Sequence, residues 1–248
     1  MVNFTMYIDR YKRQIMMKDF GEEKQKVLKN SCVFIGGIGG LGGATATYLA
    51  CAGIGKMVIA HYGSLTETNM NRQTLMDCAQ IGSPRIDVAK ENLIKLNPDM
   101  ELELYNERLE PENIRSLIKD ADIAVSARPN FPERLTLNEA CVKKGIPMIE
   151  AAMDDMSGYL FTVNPGESAC LACLVENDNP EGWKELGFGV LGAVSGTIGC
   201  LAAVEAVKVL TGYGEPLGSR MYHLDMLTMR SITPELKRNP HCRVCGNK

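Results

Sequence analysis

The sequence has no excess of basic charge: its 248 residues carry 27 Lys and Arg against 30 Asp and Glu, a formal charge of -3. That balance excludes a broad cationic field for nucleic acid or anionic lipid, while leaving room for a local phosphate site. No secretory leader is expected either. Residues 1–18 mix Arg10, Lys12, Arg13 and Lys18 with scattered apolar positions, without a continuous apolar core or small-residue cleavage site. Internal repeats and low-complexity segments are absent. Only residues 187–204 form an uncharged run of membrane-spanning length, and that run is rich in Gly, Ala, Ser and Thr and leads directly into Glu205 and Lys208. It is read as a closely packed helix inside the fold, so no membrane partner and no nucleic acid are expected. The nine cysteines are too dilute and odd in number for a disulfide-stapled mini-protein, which points to a reducing cytoplasm and to metal binding.

With 45% hydrophobic and 23% charged residues, the chain has ordinary globular composition and enough length for one large core. Residues 31–37 form a short apolar run ending in glycine, residues 41–51 carry Ala and Leu at helical spacing, and residues 56–61 read as the next strand. This is a βαβ unit with a right-handed crossover. Further helices are expected over 86–96, 111–119 and 135–144, and strands over 102–105, 123–126, 147–152 and 159–164. The polar stretch 176–185 is expected to be a long loop. The alternation predicts an α/β fold with a doubly wound, mostly parallel sheet. A single domain is expected over 1–248: a helical segment (1–30), a Rossmann-like nucleotide-binding core (31–165), and a crossover loop, apolar helix and zinc-stapled tail (166–248).

Gly37-Ile38-Gly39-Gly40-Leu41-Gly42 has G-x-G-x-x-G spacing between a strand and a helix, where the spacing has a physical reason. The first glycine permits the turn, the second admits a phosphate to the backbone, and the last lets helix pack on strand. The helix N-terminus supplies free N–H groups to an anion. Glycine turns of this kind also arise from packing alone. A dinucleotide site would place an acid at the end of the second strand, where His61, Tyr62 and Gly63 stand instead.

Cys170-Leu171-Ala172-Cys173 and Cys242-Arg243-Val244-Cys245 are two C-x2-C pairs. Four thiolates suit tetrahedral Zn2+ with no open position, which is a structural site; a redox dithiol or two disulfides are the competing readings. His241 is read as a bystander. Cys32, Cys51, Cys141 and Cys200 fall among apolar neighbours and are expected to be small buried hydrophobes, whereas Cys78 lies in a polar turn.

The glycine turn, Tyr48-Leu49-Ala50, Ala52-Gly53-Ile54-Gly55 and Asn69-Met70-Asn71-Arg72-Gln73 together resemble the ubiquitin-activating-like adenylyltransferases, the group containing ThiF, MoeB and HesA. The resemblance runs from Arg10-Tyr11-Lys12-Arg13-Gln14-Ile15 through Leu96-Asn97-Pro98 to Gly212-Tyr213-Gly214 and the cysteine pairs. It implies a homodimer that binds ATP and joins a carboxylate to its α-phosphate, releasing pyrophosphate. It further implies that Gly37, Gly39, Gly40, Gly42, His61, Asn69, Gln73, Asn130 and Arg134 surround the nucleotide. Arg13, Arg72 and Arg85 would face phosphate, Arg72 commonly reaching the site of the other subunit and Arg85 replacing the family's lysine.

Three departures stand out against that pattern. The two aspartates usual at the end of the second strand are His61 and Gly63. The family's Asp-Cys-Thr-Asp-Asn, whose second aspartate helps hold Mg2+, is Ser126-Ala127-Arg128-Pro129-Asn130. Where many members carry a nucleophilic cysteine, Glu185 stands between Lys184 and Leu186, so no thioester on the chain itself is expected. In these absences the chain is similar to the HcgE branch, which adenylates the carboxylate of guanylylpyridinol. A ubiquitin-like protein tail ending in Gly-Gly is the other substrate class, and a non-catalytic nucleotide-binding scaffold is the reading from a different class. Asp154 and Asp155, after a strand end, offer replacement oxygens or form a solvated turn.

Overall fold

The structure is a computed structural model that describes residues 4–175 and 188–246. Eight strands form one sheet in the order β3-β2-β1-β4-β5-β6-β7-β8. Its parallel half comprises β1 (Cys32–Gly36), β2 (Lys56–Ala60), β3 (Glu101–Tyr105), β4 (Ile123–Ser126) and β5 (Met148–Asp154). From β5 onward β6 (Ser157–Val163), β7 (Met221–Asp225) and β8 (Arg230–Ile232) continue it antiparallel. The order reverses between β1 and β4, and a crevice opens beyond their carboxyl ends, the usual ligand position in such sheets.

Alternation along the strands feeds two cores. Val33, Ile35, Ile123 and Val125 face one side, packed with α3 (Gly40–Ala52), α4 (Arg85–Leu96) and α8 (Gly192–Thr211). Phe34, Val58 and Ala124 face the other, with α5 (Ile114–Leu117), α6 (Phe131–Lys144) and α7 (Leu171–Leu174). The expected apolar helix is α8, the one described helix long and apolar enough to cross a membrane. Its small residues let it approach α3: a Cβ on Gly199 would lie 2.4 Å from Leu41 O, and Thr45 Oγ1 donates to Gly199 O at 3.0 Å. The N-terminal segment forms α1 (Phe4–Ile15) and α2 (Gly21–Asn30). Gln14 and Gln25 donate to Ala52 O, fixing both helices at the far end of α3 from its glycine turn.

Several expectations need correcting. The helix expected over 111–119 is a single turn, α5. The sheet is mostly parallel as expected, but β7 and β8 were not anticipated; their half-buried and exposed residues show no apolar alternation to read. Cys32 and Cys141 are buried as expected, but Cys51 is exposed and Cys200 only half-buried, since α3 and α8 turn those positions away from the sheet. The expected polar loop, residues 176–185, lies outside the described residues.

Candidate functional site

The glycine turn is built by close approaches. Gly37 has φ +110°, and a Cβ there would stand 2.6 Å from Ala127 O; one on Gly42 would stand 2.0 Å from Gly37 O. Strand, turn and helix pack at this distance only with glycine at both positions. Gly39, Gly40 and Leu41 then bring the amino end of α3 to a cavity of about 930 Å³. The same cavity is lined by His61, Asn69, Arg72, Gln73, Arg85, Arg128 and Arg134, and extends past Asp154 and Tyr159 to His223. Gly37 and Gly42 shape the turn from behind and are not among its lining residues.

The segment after β2 delivers three of the expected residues. Asn69 is buried and closes a short 3-10 turn, accepting from Thr66 N at 3.0 Å. Arg72 donates to Thr68 O at 2.7 Å and Asn71 Oδ1 at 2.8 Å, and it lines the cavity of its own chain, whereas the resemblance implied a reach to the other subunit. Gln73 is buried with its Oε1 lacking a partner, an acceptor left open at the phosphate turn. Arg85 begins α4 and donates to Tyr62 O at 2.8 Å, so the loop after β2 positions its guanidinium. Arg13 is exposed on α1 and does not line the cavity of its own chain. Because α1 docks at the far end of α3, a helix of 13 residues, Arg13 is about 20 Å from the turn.

The ends of β2 and β4 meet in a buried polar cluster. His61 Nδ1 lies 3.3 Å from Ile38 N and 2.9 Å from Arg128 Nη1. Both are obligate donors, so Nδ1 accepts and the ring proton resides on Nε2, which has no partner. Burial, together with Arg85 and Arg128, holds His61 well below its ordinary value of 6.5, so the ring is neutral at pH 7. Arg128 pairs with Glu133, Nε to Oε2 at 2.8 Å, and lies 4.7 Å from the centre of the Tyr62 ring. Asn130 is the N-cap of α6: its Oδ1 accepts from Glu133 N at 2.9 Å and its Nδ2 donates to Glu133 Oε1 at 2.6 Å. It therefore braces the arginine and does not line the cavity. Arg134 is held by Glu150 and by Tyr159 Oη at 2.6 Å.

Sequence reasoning missed Glu133, Glu150 and His223. Asn130-Phe131-Pro132-Glu133 carries a visible signal, a capping residue followed three positions later by glutamate. Glu150 and His223 carry none, because both enter through strand register: Glu150 lies beside Ser126, and His223 beside Tyr159.

A second cluster joins Cys170, Cys173, Cys242 and Cys245. Their sulfurs all lie within 4.8 Å of one another, with Cys170 to Cys242 at 3.7 Å and Cys173 to Cys245 at 3.3 Å. Tetrahedral zinc with Zn–S bonds of about 2.3 Å separates its sulfurs by about 3.8 Å, so the set fits a closed four-thiolate centre without large movement. All four are free cysteines, which removes the disulfide reading. His241 is outside the set.

Comparison with known proteins now decides the family. Residues 11–244 match the ThiF family. The chain belongs to it. Protein HesA of Leptolyngbya boryana is 46% identical over 240 residues, covering 97% of this chain and 86% of the relative. The molybdopterin-synthase adenylyltransferase of Escherichia coli (strain K12) is 34% identical, with 96% of each chain covered. Among solved structures, E. coli MccB crystallised with AMPCPP and MccA superposes with a TM-score of 0.85 at 25% identity, covering 96% of this chain and 74% of MccB. This ThiF-family chain is thus of the ATP-dependent adenylyltransferase class, and its glycine turn and arginine-lined cavity are the features that suit a nucleotide.

Proposed function

We propose that this chain binds ATP on the glycine turn and adenylates a carboxylate entering from the Asp154 and His223 end of the cavity. A carboxylate oxygen bonds to the α-phosphorus, the bond from that phosphorus to the α,β-bridging oxygen breaks, and pyrophosphate leaves. The supporting observation is continuity: one cavity joins the amino end of α3 and its arginines to the ends of β5 and β6. Its volume of about 930 Å³ is near the top of the ~300–1,000 Å³ range of small-molecule sites, room for two reactants. Among the described residues no cysteine lines it, and residues 176–187 contain none, so the adenylate passes to an outside acceptor.

For the carboxylate we favour the extended tail of a peptide or protein over a heterocyclic acid of the guanylylpyridinol type. Relatives support that choice: one is named a SAMP-activating enzyme E1, another a molybdopterin-synthase adenylyltransferase, and MccB holds AMPCPP and MccA together. The reaction is assigned to a homodimer in a reducing cytoplasm, where the four thiolates retain a structural zinc ion. The test is ATP–pyrophosphate exchange against Gly-Gly-ended proteins and small heterocyclic acids, in Mg2+ and in EDTA. Exchange with the proteins is expected. Exchange with heterocyclic acids alone would reverse the substrate choice, and ATP binding without exchange on any acid would make the chain a nucleotide-binding scaffold.

A further inference from the structure

Adenylation of this kind ordinarily engages Mg2+ on the phosphates, and the described lining of this cavity does not fit the ion. Magnesium needs octahedral oxygen ligands, usually one or two carboxylates beside the phosphates. Among the described residues the lining offers four arginines, Arg72, Arg85, Arg128 and Arg134, and a single carboxylate, Asp154. Asp154 is remote from the turn. Gly36, Ser126 and Glu150 stand level across β1, β4 and β5, and Asp154 is four residues farther along β5, about 13 Å at strand rise. The two other acids of this region do not line the cavity. Glu133 is spent on Arg128, Asn130 Nδ2 and Leu109 N, the last at 3.0 Å, and Glu150 is buried against Arg134.

Guanidinium groups supply positive charge at the same place. Arg72 donates to two uncharged oxygens, Thr68 O and Asn71 Oδ1, and Arg85 reaches the cavity from the carbonyls after β2. A guanidinium can fork onto two phosphate oxygens without any metal, while a divalent cation entering beside Arg72 and Arg85 meets like charge. We propose that the chain neutralises the triphosphate with its own arginines and takes metal-free ATP at least as well as Mg-ATP. The inference rests on the ATP reading above.

Titration calorimetry of the full chain with ATP, in EDTA and in excess MgCl2, tests it. The dissociation constant in EDTA is expected to be lower than in MgCl2 or within about threefold of it. Arg72→Ala is expected to weaken binding in EDTA by about tenfold or more, with its melting curve showing that the variant folds. Pro129 also lines the cavity beside Arg128, so Pro129→Asp should weaken binding in EDTA and make added Mg2+ favourable. Binding by the unaltered chain that is more than about threefold tighter with Mg2+ would overturn this inference and leave the ATP reading standing. Absence of ATP binding in both buffers would overturn the ATP reading and the inference with it.

Discussion

His61 shows how a single substitution changes what a site can hold. A carboxylate at the end of β2 would accept hydrogen bonds from a ribose; the neutral imidazole spends its acceptor on Ile38 N and Arg128 and leaves an Nε2–H donor. Its depressed pKa has a consequence for stability. As pH falls through 6.5 the unfolded chain takes up a proton that the folded chain refuses, so stability present above that pH declines until the folded pKa is reached. Melting temperatures measured from pH 7.5 to pH 5 should therefore fall less steeply for His61→Gln than for the unaltered chain. The ion pair of Arg134 with fully buried Glu150 should cost about 3–5 kcal/mol when broken by Glu150→Ala, read by urea unfolding, because a buried guanidinium loses its counter-charge. Arg85→Ala should weaken ATP binding about tenfold with little change in melting temperature, since the side chain donates to loop carbonyls at the cavity and not into the core.

The glycine turn and its helix were legible as an element because their requirements are local: the spacing, the apolar strand before it and the helix formers after it all lie within about 20 residues. A Cβ at Gly42 would lie 2.0 Å from Gly37 O, so Gly42→Ala must move the helix off the strand. It should destabilise the fold by about 2 kcal/mol or more and abolish nucleotide binding, measured by thermal melting and calorimetry. Elements whose stability is tertiary were not legible. Residues 111–119 have helical spacing but sustain one turn, and β7 forms on the edge of β6 and β8 on the edge of β7, not because their own residues alternate. Arg13 stands outside the cavity of its own chain for the same reason: Gln14 and Gln25 anchor its helix to Ala52 at the opposite end of α3.

Across the whole molecule the cysteine cluster closes the fold, tying the loop before α7 to the carboxyl tail about 70 residues later. Elemental analysis should find about one zinc per chain, and chelation or Cys242→Ser should lower stability by at least about 2 kcal/mol, seen as a lower melting temperature with the tail the first segment to become protease-sensitive. Spacing alone determined much here: the nucleotide turn, the parallel half of the sheet, and two cysteine pairs whose chemistry needs only i and i+3 neighbours. Only the tertiary structure decided which charges face one another. The resemblance marks a missing aspartate at Pro129, but not that four arginines line the same cavity, nor that Glu133 and Glu150 are consumed in holding two of them. Ion pairs and cavities form between residues brought together by strand order and register. One-dimensional spacing carries no record of either, so the composition of a site can be read from a sequence before its electrostatic balance can.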